Sequence, residues 1–225
     1  AVFCVSQFVK KQFLSGITIK NENVHVLYNG VDEKLKQFPV KNKEVLFVGR
    51  LVYEKGAKLY ADAVKSIAHD CPEWNFGLLG SSEIGYNKDK KDYAEKVIKT
   101  LNSMGSQARV YGFKNQRFVK QKMKSASIIV IPSLCEEAFG LVAAEAMSNG
   151  MAIIASKVGG IPEIIQDNGI LIENINVSKL KNSLIDIINN EQKRELLQKK
   201  AWLNFIHTSK KSSQLLDKFR KTIIK

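Results

Sequence analysis

IIVIPSLCEEAFGLVAAEAMSNG, residues 128–150, passes from one structural period to another within a few residues. Ile128, Ile129, Val130 and Ile131 are apolar without alternation, which suits a strand covered on both faces, as in a parallel sheet. Pro132 and Ser133 close that strand, and the stretch from Gly140 to Ser148 reads as a helix. Between them lies an acidic loop carrying Glu136 and Glu137. A third carboxylate, Glu145, falls inside the helix itself. A strand feeding a helix through a short loop is half of a βαβ unit.

The same alternation extends outward from this stretch. Strand-like runs recur at Val2 to Val5, Val24 to Tyr28, Glu44 to Val48, Asn75 to Leu79, Ala108 to Tyr111, Ala152 to Ala155 and Ile170 to Ile172. Helical patterns fall between most of them, at Gly56 to Ala68, Lys88 to Met104, Asn115 to Lys124 and Val177 to Ile188. In the first of these, Leu59, Ala63, Val64 and Ile67 share one side at helical spacing. The expected fold is α/β: a Rossmann-like open parallel sheet with helices on both faces. Residues 1–40 differ. They read as strand, helix and strand, then the turn Asn29-Gly30 and a polar linker containing Pro39. Residues 41–190 hold the repeated βα units. Residues 191–225 are helical and highly charged, with apolar sides at Trp202, Phe205 and Ile206, and at Leu215, Leu216 and Phe219. The start has no Met and resembles a strand entering a helix, so the chain is expected to begin inside a longer protein.

Across 225 residues the formal net charge is +13, which suits an anionic partner such as a phosphate or an acidic membrane surface. The basic residues are dispersed, unlike a nucleic-acid-binding arm. No apolar run approaches the roughly 20 residues of a spanning helix. Cys4, Cys71 and Cys135 are odd in number and lack metal-ligand spacing, as expected of reduced thiols in a cytosolic protein.

In doubly wound sheets ligands bind at the carboxyl ends of the strands. Arg50 and Lys55 follow the strand ending at Val48, and both suit a phosphate or diphosphate. The glycine spacing of a P-loop is absent. Gly80 to Gly85 and Gly112-Phe113 follow two further strands and would let backbone approach a nucleobase. Gly140 and Leu141 would offer free N–H groups to an anion at the helix start. Glu145 would point into the same crevice as Glu137 and accept hydrogen bonds from vicinal hydroxyls. Plainer readings remain beside these: a solvated loop for Arg50 and Lys55, a surface helix residue for Glu145, a favourable charge ahead of a helix for Glu137. Gly159-Gly160-Ile161-Pro162-Glu163 suits a helix's first turn and borders the same region.

Taken in order, these segments resemble the carboxyl-terminal, donor-binding domain of family 4 glycosyltransferases of the lipopolysaccharide or polysaccharide type. The residues that carry the resemblance are Glu137 and Glu145 with Phe139-Gly140-Leu141 between them. Gly49-Arg50-Leu51 with Lys55-Gly56, Pro132-Ser133, the Gly159 to Glu163 run and Asn29-Gly30-Val31-Asp32 support it.

The resemblance implies the second half of a glycosyltransferase B architecture. Residues 1–40 would then be the tail of an amino-terminal acceptor domain plus linker, and residues 191–225 would pack back toward that domain. It implies a retaining transfer of sugar from a nucleotide-diphosphate sugar to a glycan or lipid-linked acceptor, with no metal or other cofactor. Arg50 and Lys55 would hold the diphosphate, Glu145 the ribose, and Glu137 the donor sugar. Backbone at Phe139, Gly140 and Leu141 would assist, and Gly80, Gly112 and Phe113 would border the base. A cytoplasmic protein touching the inner face of an anionic membrane fits the basic surface. Two other classes stay open: an epimerase-like sugar-nucleotide enzyme, and a non-catalytic nucleotide-binding module.

Overall fold

The computed structural model describes residues 1–17, 20–32, 34–81 and 88–223. Of the loop expected over Gly80 to Gly85, Ser82 to Gly85 lie outside the described residues. The chain opens with a small parallel pair, β1 (Val2–Cys4) and β2 (Val24–Val26), connected through α1 (Gln7–Gly16). The parallel units then follow in sequence: β3 (Asn42–Val48), α2 (Ala57–Lys65), β4 (Asn75–Leu79), α3 (Lys88–Asn102), β5 (Ala108–Gly112), α4 (Gln116–Ser125) and β6 (Ala126–Ile131). After them come α5 (Leu141–Ser148), β7 (Ala152–Ser156), the short α6 (Ile161–Ile165), β8 (Ile170–Ile172), α7 (Val177–Asn189), α8 (Glu191–Leu203) and α9 (Ser209–Ile223).

Six strands pair in parallel in the order β5-β4-β3-β6-β7-β8. The order runs outward in both directions from the central β3/β6 pair, as in the doubly wound nucleotide-binding sheet. β6 shows why its sequence lacks alternation. Ile128 and Val130 enter the core on the α2, α3 and α7 side. Ile129 and Ile131 enter the opposite core, with Met147 of α5 and Ile161 of α6. Every residue of β6 is buried. With a helix layer on each face, both sides of the pleat are apolar from Ile128 to Ile131, and the one polar residue of the strand, Ser127, donates its hydroxyl to Asn42 O at 2.6 Å.

Helix α8 packs against α5, α7 and β7. Its attachment is partly polar: Arg194 donates to Ile187 O at 2.9 Å and Ile188 O at 3.0 Å, and Gln198 donates to Ser127 O at 2.9 Å. Helix α9 reaches the β1/β2 pair, where the Phe219 ring lies 5.3 Å from Phe3 and 4.8 Å from His25. The segment before it crosses the chain leaving β2. Val31 N donates to His207 O at 3.0 Å, and Ser209 N donates to Val31 O at 2.8 Å. Among the described residues no helix is long and apolar enough to cross a membrane.

Loop geometry at the centre depends on close backbone approach. Gly56 is left-handed, with φ +67°, and a Cβ there would lie 1.9 Å from Pro132 O. That contact ends the helical pattern at Gly56, so α2 starts at Ala57. Gly56→Ala is expected to cost about 2–5 kcal/mol, combining left-handed strain with a clash against backbone. Gly105→Ala is the control: its φ is +63° but nothing lies within 4 Å, so strain alone applies. Its expected cost is about 1–2 kcal/mol. Urea unfolding of the two variants measures the difference.

Candidate functional site

The sheet's direction of winding reverses between β3 and β6, which opens a crevice beyond their carboxyl ends. The loops following β3 and β6 form its walls. Leu134 N donates to Glu54 O at 2.8 Å, tying one loop to the other. Leu51 N donates to Ser81 O at 3.1 Å and Gly80 N to Gly112 O at 3.1 Å, so the loops after β3, β4 and β5 are laced together. Gly80 is required there, since its Cβ would meet Gly49 O at 1.8 Å. On the far side Gly160 N donates to Glu137 O at 2.7 Å, and a Cβ on Gly159 would lie 2.3 Å from that oxygen.

A cavity of about 290 Å³ sits in the crevice, lined by Gly49, Lys55, Ser133, Glu137, Phe139, Gly140 and Leu141 among others. Lys55 Nζ donates to Glu137 Oε1 at 2.5 Å, and Ser133 Oγ donates to the same oxygen at 2.6 Å. The two charged side chains are 25% and 18% exposed, so solvent screens them less than a surface pair. Oε2 of Glu137 takes no hydrogen bond among the described residues. Gly140, with φ +97°, precedes the first residue of α5. The first N–H groups of this helix have no acceptor within it and point their dipoles toward the crevice.

Glu145 lines a different cavity, of about 820 Å³, between α4, α5 and the chain leaving β2. Arg117, Lys120 and Asp32 line it too. Leu141 belongs to both cavities, so they adjoin across the first turn of α5. The expected single crevice for both glutamates is therefore two neighbouring compartments, because Glu145 faces outward toward α4. Lys120 is ion-paired with Asp32. Burial raises the Glu145 pKa, Lys120 opposes that rise and Asp32 adds to it.

The remaining expected residues are dispersed around this centre. Arg50 is exposed and lines neither cavity. Phe113 is 78% exposed at the end of β5, beside Gly112 in a left-handed conformation. Phe139 is only 3% exposed, and its ring packs near Tyr28 and His207, away from a ligand's reach. Ser133 as a partner of Glu137 was not anticipated, because a spacing of four has no fixed geometry in a loop. Lys120 was also missed, and Asp32, named only within the Asn29-Gly30-Val31-Asp32 run, was not read as its partner, since the two meet only through tertiary structure.

Glu163 serves a role that the Gly-Gly-Ile-Pro-Glu run does not reveal. It accepts from Gln7 N at 2.8 Å and Phe8 N at 2.6 Å, and from Tyr28 Oη at 3.1 Å. Ser6 Oγ donates to Ala138 O at 2.6 Å. The carboxylate therefore caps α1 and fastens the first residues to the crevice's rim. Burial and the neighbouring Glu163 push the Tyr28 phenol up to about 12.

A doubly wound sheet with a charged cavity at its switch point defines an open α/β protein of the class that holds ligands at the carboxyl ends of its strands. The chain belongs to the family described as glycosyl transferases group 1, whose pattern it matches over residues 9–202. It is 34% identical over 198 residues to the uncharacterized glycosyltransferase MJ1178 of Methanocaldococcus jannaschii, covering 87% of this chain and 52% of that one. It is 30% identical over 123 residues to the lipopolysaccharide 1,2-N-acetylglucosaminetransferase of Salmonella typhimurium, covering 55% of this chain and 32% of that one. The chain thus spans about half the length of the first of these relatives, and less of the second. Among solved structures, Anabaena Alr3699/HepE in complex with UDP-glucose superimposes with a TM-score of 0.83 at 22% identity, over 98% of this chain and 63% of that one. That likeness is one of fold.

The pKa direction at Glu145 has a consequence for stability. A carboxyl whose pKa is higher folded than unfolded lowers stability as pH rises through that interval. Below the ordinary value of 4.5 both states are protonated and the penalty disappears. Glu145→Gln is therefore expected to stabilise the chain at pH 7, with the gain fading as pH falls below 4.5. Urea midpoints at the two ends of that range check it.

Proposed function

We propose that the chain carries the donor site of a retaining glycosyltransferase, which moves a sugar from a nucleotide-diphosphate sugar to a glycan or lipid-linked acceptor. Bacterial lipopolysaccharide or surface polysaccharide synthesis is the setting we favour, supported by the Salmonella relative. The observation that carries the reading is the Lys55–Glu137 pair beside the start of α5 at the switch point. One cation, one carboxylate and a set of free N–H groups within one small cavity match a diphosphate joined to a polyhydroxylated ring.

In this reading Lys55 turns from Glu137 to the diphosphate, with Arg50 swinging in from solvent. The α5 N–H groups take the remaining phosphate charge. Glu137, released, accepts from hydroxyls of the donor sugar, and Glu145 accepts from the ribose across the first turn of α5. Gly80, Gly112 and Phe113 border the base. When the bond from the anomeric carbon to the diphosphate oxygen breaks, negative charge grows on the leaving group and positive charge on the ring. Fixed cations and dipoles at one end, and a carboxylate at the other, stabilise that separation. Residues 1–40 and α9 would belong with a further amino-terminal domain that supplies acceptor contacts. The basic surface would bring the protein to an anionic membrane.

Calorimetric titration with UDP, GDP, ADP and CMP, then with the sugar forms of whichever binds, tests the proposal. One diphosphate is expected to bind. Lys55→Ala and Glu145→Ala are each expected to weaken it by about 1–3 kcal/mol, the scale of a lost charged hydrogen bond. Unchanged affinity in both folded variants would sink the assignment. Glu137→Gln separates the two halves of the site. It frees Lys55, so the diphosphate is expected to bind as well or better, while the added affinity of the sugar form is lost.

A further inference from the structure

Two successive carbonyls of the Glu137 loop are held by two different helix starts. Gly160 N, at the start of α6, donates to Glu137 O at 2.7 Å. Ser6 Oγ, at the start of α1, donates to Ala138 O at 2.6 Å. The two helix starts are joined in turn, because Glu163 of α6 accepts from Gln7 N and Phe8 N of α1. We infer that Ser6 and Glu163 are positioning residues, which aim the Glu137 carboxylate so that recognition of the donor sugar depends on α1 being docked. The role of the sugar rests on the donor reading above, while the aim of Glu137 rests on these contacts.

A peptide unit is planar, so a carbonyl fixed in direction fixes the plane that carries it. With the carbonyls of Glu137 and Ala138 both held, the soft angles between their planes, φ and ψ of Ala138, are set. Glu137 begins the first plane, so the orientation of the two planes sets where its side chain points relative to the start of α5. Side-chain contacts restrain less. Lys55 and Ser133 both bond to Oε1. Once Lys55 turns to a diphosphate, Ser133 is the one printed side-chain contact left, and the main chain keeps the carboxylate aimed.

Ser6 is 0% exposed, and its Oγ makes two bonds. It accepts from Val9 N at 3.0 Å, which caps α1, and donates to Ala138 O. A hydroxyl can do both, whereas an ionised carboxylate in its place would only cap. Glu163 turns both oxygens toward the first residues: Oε1 accepts from Phe8 N, and Oε2 from Gln7 N and Tyr28 Oη. A charged acceptor at a helix start strengthens such bonds. The circuit from Glu137 through Gly160, Glu163, α1, Ser6 and Ala138 therefore closes on itself. No residue of α1 lines the donor cavity, so its route to the sugar is through this loop. Lys55, Arg50 and the α5 N–H groups, proposed for the diphosphate, lie on other elements. Displacement of α1 is thus felt at the sugar and spares the diphosphate.

Calorimetry with UDP, GDP and ADP beside UDP-glucose, GDP-mannose and ADP-glucose tests the inference, on the unaltered chain, Ser6→Gly and Glu163→Gln. Glycine caps a helix nearly as well as serine, and glutamine keeps the shape of glutamate, so both variants preserve folding. Each is expected to lose about tenfold of the added affinity that the sugar brings, with affinity for the bare diphosphate unchanged. Asn176→Gly, which removes the equivalent cap from α7, is expected to change neither. An unchanged sugar increment in both variants would overturn the inference. So would equal weakening of both ligand forms, the mark of a merely structural role. A measurement without ligand keeps the two readings apart. Hydrogen exchange of the Gly160 amide, taken relative to the core amide of Ile129, is expected to quicken about tenfold in Ser6→Gly, although Ser6 and Gly160 share no hydrogen bond. No diphosphate binding, or no gain from the sugar, overturns the donor reading. Quickened exchange then keeps Ser6 as a positioning residue for Glu137, and unchanged exchange overturns this inference as well.

Discussion

The contact between Lys55 and Glu137 spans the point where the sheet reverses its direction of winding. One residue follows β3 and the other follows β6, so the pair can form only if two separate loops arrive at a common height. Main chain sets that height. Gly56 lies against the Pro132 carbonyl, Leu134 N bonds to Glu54 O, and Gly159 and Gly160 lie against Glu137 and Ala138 from the other side. The three glycine approaches are closer than any Cβ permits, so the glycines act by omission. The ion pair is a consequence of this backbone geometry. Its position in a partly water-excluded cavity then gives the two charges a stronger mutual field than a surface pair would have.

The same loops also fasten the ends of the chain. Ala138 accepts from Ser6, and Glu163 caps α1. The segment crossing from β2 is pinned in turn by lysines on helix carboxyl ends. Lys41 Nζ donates to Met123 O, Lys124 O and Asn149 O at 3.2, 3.1 and 2.8 Å, bridging the ends of α4 and α5. Burial alone would lower its pKa to about 7. Three carbonyls and two helix dipoles favour the ammonium form and oppose that shift. Lys34 lies 4.9 Å from the Trp202 ring centre at the end of α8. The connection between the first residues and the parallel sheet is thus held by directional contacts.

Much of this was legible in sequence where a residue's neighbours are fixed by chain periodicity. The unbroken apolar run Ile128 to Ile131 identifies a strand with two covered faces, and both cores confirm it. Placing Lys55, Glu137 and Gly140 after parallel strands locates the crevice, because strand ends in a doubly wound sheet converge there, whereas Arg50 follows the same strand as Lys55 and lines neither cavity. What periodicity does not encode is which direction a side chain takes off its element. Glu145 shares a helix with the crevice wall but faces α4. Phe139 sits in the most suggestive stretch and buries its ring. Helix α8 appears polar, since it is attached through Arg194 and Gln198 to carbonyls rather than through an apolar stripe. Glu163 was readable as a first-turn acid, yet the helix end it caps most directly is that of α1, more than 150 positions away.

A cation held by a neighbouring carboxylate has two possible partners once an anion arrives. The intramolecular pair keeps Lys55 ordered at the crevice, which reduces the side-chain entropy that a ligand must otherwise overcome. It also sets a threshold. A lone hydroxylated ring offers nothing to Lys55, and a lone anion leaves Glu137 buried beside new negative charge. On the donor reading proposed above, a ligand that brings an anion and hydroxyls together would satisfy both halves, and a diphosphate alone would satisfy only Lys55. Discrimination of that kind arises from the penalty for leaving a buried group unpaired, more than from the strength of any one contact. Ser133, bonded to the same Glu137 oxygen at 2.6 Å, would on that reading hold the carboxylate in place when Lys55 leaves.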